Sequence, residues 1–305
     1  MSTILAGRRI FATALRRRGA EHIQFGVFRG APSSEPWDEG DDRGIQVRVI
    51  IAHRFSGEAL PAVLVARPNR FLALCRLGRR TVEAHVPDRG RCLDLLVPGR
   101  TVALVEVGKG GFGLRASGFK QRRTSFTAVL AQSSQGTWVS LDPAGAPRLV
   151  EAALRLGLLP SLAGWQVVRR EVTVKSRQLT GRIDLLLSLP DARGLQPEAA
   201  SLLCEVKSVG AQREGIALFP DAPTLRGARH LALLAALSRK GSRCAVVFCA
   251  QRGDVRAVAP DQAIDPDFAA ALRRAARAGV RLAALRCAAS LAGMELHGEI
   301  PVLLS

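Results

Sequence analysis

The chain has no tyrosine, three tryptophans and only 5% aromatic residues in 305. A surface that stacks successive bases of a single strand needs several rings, so base stacking is a poor account of how this protein would hold a ligand. Acids are also scarce, with 26 Asp and Glu against 44 Lys and Arg, a formal charge of +18. That balance speaks about partners rather than fold. It suits a polyanion bound through its backbone, although anionic membrane surfaces attract cations too. No apolar run approaches the roughly 20 residues of a membrane span. The six cysteines form no C-x-x-C pair, and no Cys/His cluster has zinc-ligand spacing. Several sit in apolar runs such as Cys244-Ala245-Val246-Val247-Phe248-Cys249, as buried reduced thiols of a reducing compartment would. There is no G-x-S-x-G elbow. The glycine-rich stretch Gly108-Lys109-Gly110-Gly111-Phe112-Gly113 is not followed by a Walker lysine-serine and reads as a hairpin loop.

What is present divides into three parts. Residues 1–44 read as a disordered or targeting tail. Arg8, Arg9, Arg16, Arg17 and Arg18 precede an acidic stretch from Ser33 to Asp42. An Arg-rich, acid-poor opening fits an organelle presequence, whereas few serines fit an untargeted, cytoplasmic chain with a disordered extension. Residues 45–124 hold five short β-like runs, Gln46–Ala52, Ala62–Ala66, Phe71–Leu77, Thr81–Val86 and Thr101–Val107, which predict a small OB-like β-barrel. Phe71 is expected in its core. Residues 125–305 read as a mixed-sheet α/β domain. It opens with two strands in Ser125–Asp142, continues with a helix over Ala146–Leu156 and then three meander strands. Next come a helix over Thr224–Lys240, a strand over Arg243–Ala250, a helix from Pro266 to Ala278 and a last strand over Val280–Leu285.

Two short stretches carry most of the information, Gly181-Arg182-Ile183-Asp184 and Cys204-Glu205-Val206-Lys207-Ser208. Side chains alternate faces along a strand, so Glu205 and Lys207 point the same way and Val206 points back. The turn-rich link from Ser188 to Pro197 makes the two strands an antiparallel pair. A loop centred between Gly194 and Leu195 sets Asp184 opposite Glu205. A turn centred between Arg177 and Gln178 sets Glu171, on the preceding strand, opposite Asp184. Three carboxylates would then lie side by side. Opposed like charges destabilise a sheet, so cations, a metal or raised pKa values must compensate.

With those residues in view, the chain resembles the sugar fermentation stimulation protein family. The resemblance rests on Gly181–Asp184, on Glu205-Val206-Lys207-Ser208, and on Phe219-Pro220-Asp221-Ala222-Pro223-Thr224-Leu225-Arg226-Gly227-Ala228-Arg229-His230-Leu231. Upstream it rests on Arg70-Phe71 and His85-Val86-Pro87-Asp88-Arg89-Gly90-Arg91. It implies an OB-like domain followed by a domain of the restriction-endonuclease-like, PD-(D/E)xK type. It also implies non-specific DNA binding and a regulatory role in sugar metabolism. The family's Asn-Thr before the glycine is Asp88-Arg89 here, and Arg89 could contact phosphate instead.

Metal-dependent phosphodiester hydrolysis needs oxygen ligands for Mg²⁺, a positioned water and a cation beside the phosphate. Asp184, Glu205 and the carbonyl of Val206 are the expected metal ligands. Lys207 would orient the water, and Glu171 would complete the acid cluster. Arg70, Arg89, Arg91, Arg182, Arg226 and His230 are the expected nucleic-acid contacts. Arg226 and His230 share a helix face, and Thr224 can cap that helix. The alternative is a non-catalytic DNA-binding regulator; a hydrolase of RNA or nucleotides is a third reading.

Overall fold

The computed structural model describes residues 10–17, 20–27, 51–107, 124–176, 179–190 and 200–304. The acidic stretch 33–42, residues 46–50, the glycine-rich segment 108–113 and the expected turns at 177–178 and 191–197 lie outside the described residues. The chain divides into two units, Met1–Arg48 and Val49–Ser305. In the first, β1 (Ile10–Arg17) and β2 (Ala20–Val27) pair antiparallel, with Ile10 opposite Val27.

The second unit begins with β3 (Ile51–His53) and continues through β4 (Ala59–Asn69), β5 (Leu72–Leu77), β6 (Arg80–His85), β7 (Thr101–Glu106), β8 (Phe126–Gln132) and β9 (Trp138–Ser140). Strands β4 to β8 close on themselves, because β6, at one end of the order β6-β5-β4-β7-β8-β9, also pairs in parallel with β8 at Ala84↔Phe126. Closure satisfies the edges that an open sheet would expose. Small inward residues, among them Ala62, Ala73, Ala84 and Ala128, let Leu64, Leu104 and Phe126 fill the narrow interior. The barrel is thus OB-like, with two corrections. Its fifth strand is β8, not the expected run at Gln46–Ala52, whose described part, β3, pairs instead with the last strand of the other sheet. The expected boundary at residue 124 therefore falls inside the barrel, since β8 and β9 belong to it. Phe71 is 48% exposed at a β4–β5 turn rather than in the core.

The remainder runs α1 (Ala146–Arg155), β10 (Gln166–Ser176), β11 (Leu179–Ser188), β12 (Ser201–Val209), β13 (Ala211–Arg213), β14 (Ile216–Phe219), α2 (Leu225–Ser238), β15 (Arg243–Ala250), β16 (Ala257–Pro260), α3 (Pro266–Arg277), β17 (Arg281–Ser290) and β18 (Gly293–Ile300). A seven-stranded mixed sheet, ordered β10-β11-β12-β15-β17-β18-β3, forms the middle layer, and β13, β14 and β16 form a small sheet beside it. Helix α1 covers one face, placing Leu149, Val150 and Ala153 against Leu185, Leu187 and Val247. Helices α2 and α3 cover the other, placing Leu231, Leu234 and Phe268 against Ile183, Val246 and Phe248. Strand β15 is buried on both faces from Cys244 to Ala250, which is why its sequence is an unbroken apolar run. All six cysteines are buried and unpaired. No helix among the described residues is long and apolar enough to cross a membrane.

Candidate functional site

The β11–β12 pairing has the expected register, running from Ser188↔Ser201 to Leu185↔Cys204. Asp184 and Glu205 are next in line, and there the backbone ladder gives way to a side chain. Asp184 Oδ2 accepts the Val206 N–H at 2.8 Å. The β10–β11 register is also as expected around the key position, with Arg170↔Leu185 on one side and Val172↔Ile183 on the other. Between them both strands change face. Gly181 and Ile183 face α2, whereas Leu185 and Leu187 face α1. Opposite, Arg170 reaches Glu151 on α1, whereas Val174 packs on the α2 side. The crossing points are Asp184 and Glu171, and Glu171 has a left-handed backbone with φ of 55°. Left-handed geometry is costly for a residue with a Cβ. Here it lets one hairpin serve two cores.

This twist separates the three acids. Glu171 is not brought to Asp184 and Glu205. Its side chain is 67% exposed and pairs with Arg182 at 3.5 Å. Placing Glu171 beside Asp184 through a symmetric turn assumed extended geometry at both residues, and the left-handed residue breaks that assumption.

Glu205, by contrast, is 3% exposed. Burial of a carboxylate is tolerable only with partners, and two converge on one oxygen. Lys207 Nζ and His230 Nδ1 each lie 2.6 Å from Oε1. A carboxylate accepts, so Nδ1 carries the ring proton. The other oxygen, Oε2, is enclosed and meets no hydrogen-bond donor. Burial pushes Glu205 up, but the His230 hydrogen bond and the Lys207 charge more than offset it, holding the group below its ordinary value. Asp184 goes the other way. Burial raises it first and the charge of Glu205 adds to the rise, which the Val206 N–H only partly opposes. Two carboxylates with values driven apart by their surroundings are a mark of functional sites.

His230 was expected among exposed nucleic-acid contacts; the structure buries it at 8% exposure in the acid cluster. The signal was present in the sequence, because His230 stands three and four residues before Leu233 and Leu234 on its helix. Thr224 caps that helix as expected, its Oγ1 accepting from Gly227 N at 3.0 Å. Arg70, Arg89, Arg91, Arg182 and Arg226 are all exposed. Arg67, in contrast, is committed to holding the barrel's own loop, donating to the carbonyls of Arg70, Gly90 and Arg91.

Two motifs far apart in sequence meet at the seam between barrel and sheet domain. Asp221 Oδ2 accepts the Cys92 N–H at 3.2 Å. A Cβ placed on Gly90 would lie 2.2 Å from that same oxygen, so only glycine allows the contact. Asp88 accepts the Gly90 N–H at 2.7 Å. Burial raises its pKa first, and the nearby charge of Asp221 raises it further.

Comparison with known proteins gives a consistent picture. A family model described as "SfsA N-terminal OB domain" matches residues 65–141, and one described as "Sugar fermentation stimulation protein RE domain" matches residues 145–293. The chain is 43% identical over 244 residues to a sugar fermentation stimulation protein homolog of Chloroflexus aurantiacus, covering 80% of this chain and 85% of that protein. It is 41% identical over 268 residues to a homolog of the same description from Chloroflexus aggregans, covering 87% and 94%. A solved structure titled as Pyrococcus furiosus SfsA in complex with Ca²⁺ superposes with a TM-score of 0.68 at 26% identity, covering 83% of this chain and 99% of that one.

Proposed function

Because the chain belongs to the sugar fermentation stimulation protein family, we propose that it binds DNA through the phosphate backbone and hydrolyses phosphodiester bonds with a divalent cation, Mg²⁺ by preference, in a sheet domain of restriction-endonuclease-like type. One observation carries the cation: Glu205 Oε2 is a buried carboxylate oxygen with no donor, beside a second acid whose proton affinity is raised by burial and by Glu205 itself. A cation at that spot would relieve both costs. The related Pyrococcus furiosus protein is described as a Ca²⁺ complex, which supports the same reading. Among the described residues no three His, Cys, Asp or Glu side chains are grouped to hold a metal. The ligand set would therefore be Asp184, Glu205 and the Val206 carbonyl, completed by water, as suits Mg²⁺. When bound, such an ion supplies Lewis-acid polarisation of a phosphoryl oxygen and a more acidic water.

The chain's own groups do the rest. Lys207 holds Glu205 ionised and keeps two further N–H donors for a phosphate oxygen or a water. Asp184 is tied to the β12 backbone by the Val206 N–H, which fixes its carboxylate. Exposed arginines at 70, 89, 91, 182 and 226 would attract the phosphate backbone without reading sequence. A second reading, a DNA-binding regulator that does not cut, draws support from the short Lys207–Glu205 pair, which engages the ammonium before any substrate arrives.

The test is incubation of pure protein with plasmid, single-stranded DNA and RNA, in Mg²⁺, Mn²⁺ or EDTA. Cleavage of DNA by wild type is expected with Mg²⁺ or Mn²⁺, and loss of it in Asp184→Ala and Lys207→Ala. Glu171→Gln should retain it, since that carboxylate stands with Arg182. Cleavage that survives both substitutions overturns the site; binding without cleavage under every condition favours the regulator.

A further inference from the structure

Resting on the cation reading above, we infer that His230 is a specificity-determining positioning residue that makes the site choose Mg²⁺ or Mn²⁺ over Ca²⁺. A carboxylate has two oxygens and about four lone-pair sites. Both sites of Glu205 Oε1 are filled, one by Lys207 Nζ and one by His230 Nδ1, each at 2.6 Å. Only Oε2 is left without a hydrogen-bond partner. Glu205 is thereby restricted to giving a cation one oxygen. Mg²⁺ accepts that restriction, because it takes six ligands in an octahedron. Ca²⁺ takes six to eight and gains from bidentate carboxylates, so masking Oε1 costs Ca²⁺ more.

The mask is held rigidly. His230 is 8% exposed on α2. Its ring lies against the backbone of Gly181, where an added Cβ would come within 3.7 Å of Cδ2 and 2.8 Å of the neighbouring Leu233. Gly181 belongs to the strand that carries Asp184, so the ring is clamped between the two acids' strands and its own helix. Lys207 is a flexible partner on the same strand as Glu205; His230 is the partner whose placement depends on packing across the layers.

The experiment is calorimetric titration of metal-free wild type, His230→Ala and His230→Asn with MgCl₂ and with CaCl₂, no nucleic acid present. Asparagine offers Nδ2 close to the place of Nδ1. The readout is the ratio of the two dissociation constants, which a general loosening of the fold would leave alone. His230→Ala is expected to move the ratio about tenfold towards Ca²⁺, and His230→Asn to stay near wild type. Should His230→Ala fail to fold, Lys207→Met removes the other donor to Oε1 and is expected to shift the ratio in the same direction. Wild type that binds neither ion overturns the cation reading itself. Wild type that binds both, with an unchanged ratio in the alanine and methionine variants, overturns this inference alone.

Discussion

Asp184 and Glu205 are neighbours in the same register, yet their chemistry differs because their partners differ. Glu205 has a lysine and a histidine on one oxygen, whereas Asp184 has a backbone N–H and a negative neighbour. In the folded protein the Asp184 proton is held more tightly than in the unfolded chain. Its contribution to stability is therefore full below the ordinary carboxylate value and lost as pH rises through the raised folded value. Asn at this position cannot ionise, and its amide oxygen can still accept from Val206. Asp184→Asn is accordingly expected to melt above wild type near pH 7 in EDTA, with the gap closing as pH falls through the raised folded value of Asp184. Melts followed by circular dichroism across that range would check it; a gap that stays constant would contradict it. Glu205 has the opposite sign, since its folded value is lowered and its contribution is lost as pH falls through that value.

At the scale of elements, one carboxylate fixes the start of two helices. Asp265 Oδ1 caps α3 through Phe268 N at 2.8 Å, and Oδ2 accepts Thr224 N, at the start of α2, at 2.7 Å. Asp265→Ala removes a cap worth about 1 kcal/mol and strands a second, half-buried donor worth about 1–3 kcal/mol. A loss of roughly 2–4 kcal/mol by urea unfolding is expected. Much of this layer was legible beforehand. Thr224 announced its helix, the apolar run of β15 announced a central strand, and symmetric turns gave the right register for β10, β11 and β12. The change of face at Glu171 and Asp184 was not legible. A left-handed backbone is signalled in sequence by Gly, Asn or Asp, and glutamate gives no such sign. Strand β18 was not foreseen, and β3, read as part of a strand over Gln46–Ala52, was given to the barrel because its partner lies at the far end of the described sequence.

Within Val49–Ser305 a buried guanidinium joins barrel to sheet domain. Arg252 is fully enclosed, with Nε and Nη2 on Asp254 at 2.6 and 2.8 Å and Nη1 on the Gly210 carbonyl at 2.6 Å. It also bridges to Val139 of the barrel strand β9 and approaches Asp94 at 3.8 Å. Beside it, Gln251 accepts from Ser140 N and donates to the Asp142 carbonyl and Ser208. Arg252→Ala would take the guanidinium away from Asp254 and the Gly210 carbonyl, a loss of about 3–5 kcal/mol. Because the pair joins barrel to sheet, the variant is expected to unfold in two steps by urea where wild type unfolds in one; a single transition within 1 kcal/mol of wild type would refute the joining role. The other joint, Asp221 on Gly90 and Cys92, bears on how the protein is made. Every side chain of the acid cluster lies between residues 184 and 230, and every barrel strand precedes residue 141. Domains fold in the order a ribosome releases them. The barrel strands are therefore released before the acids, and the loop around Asp221 arrives later at a surface whose glycine leaves room for it.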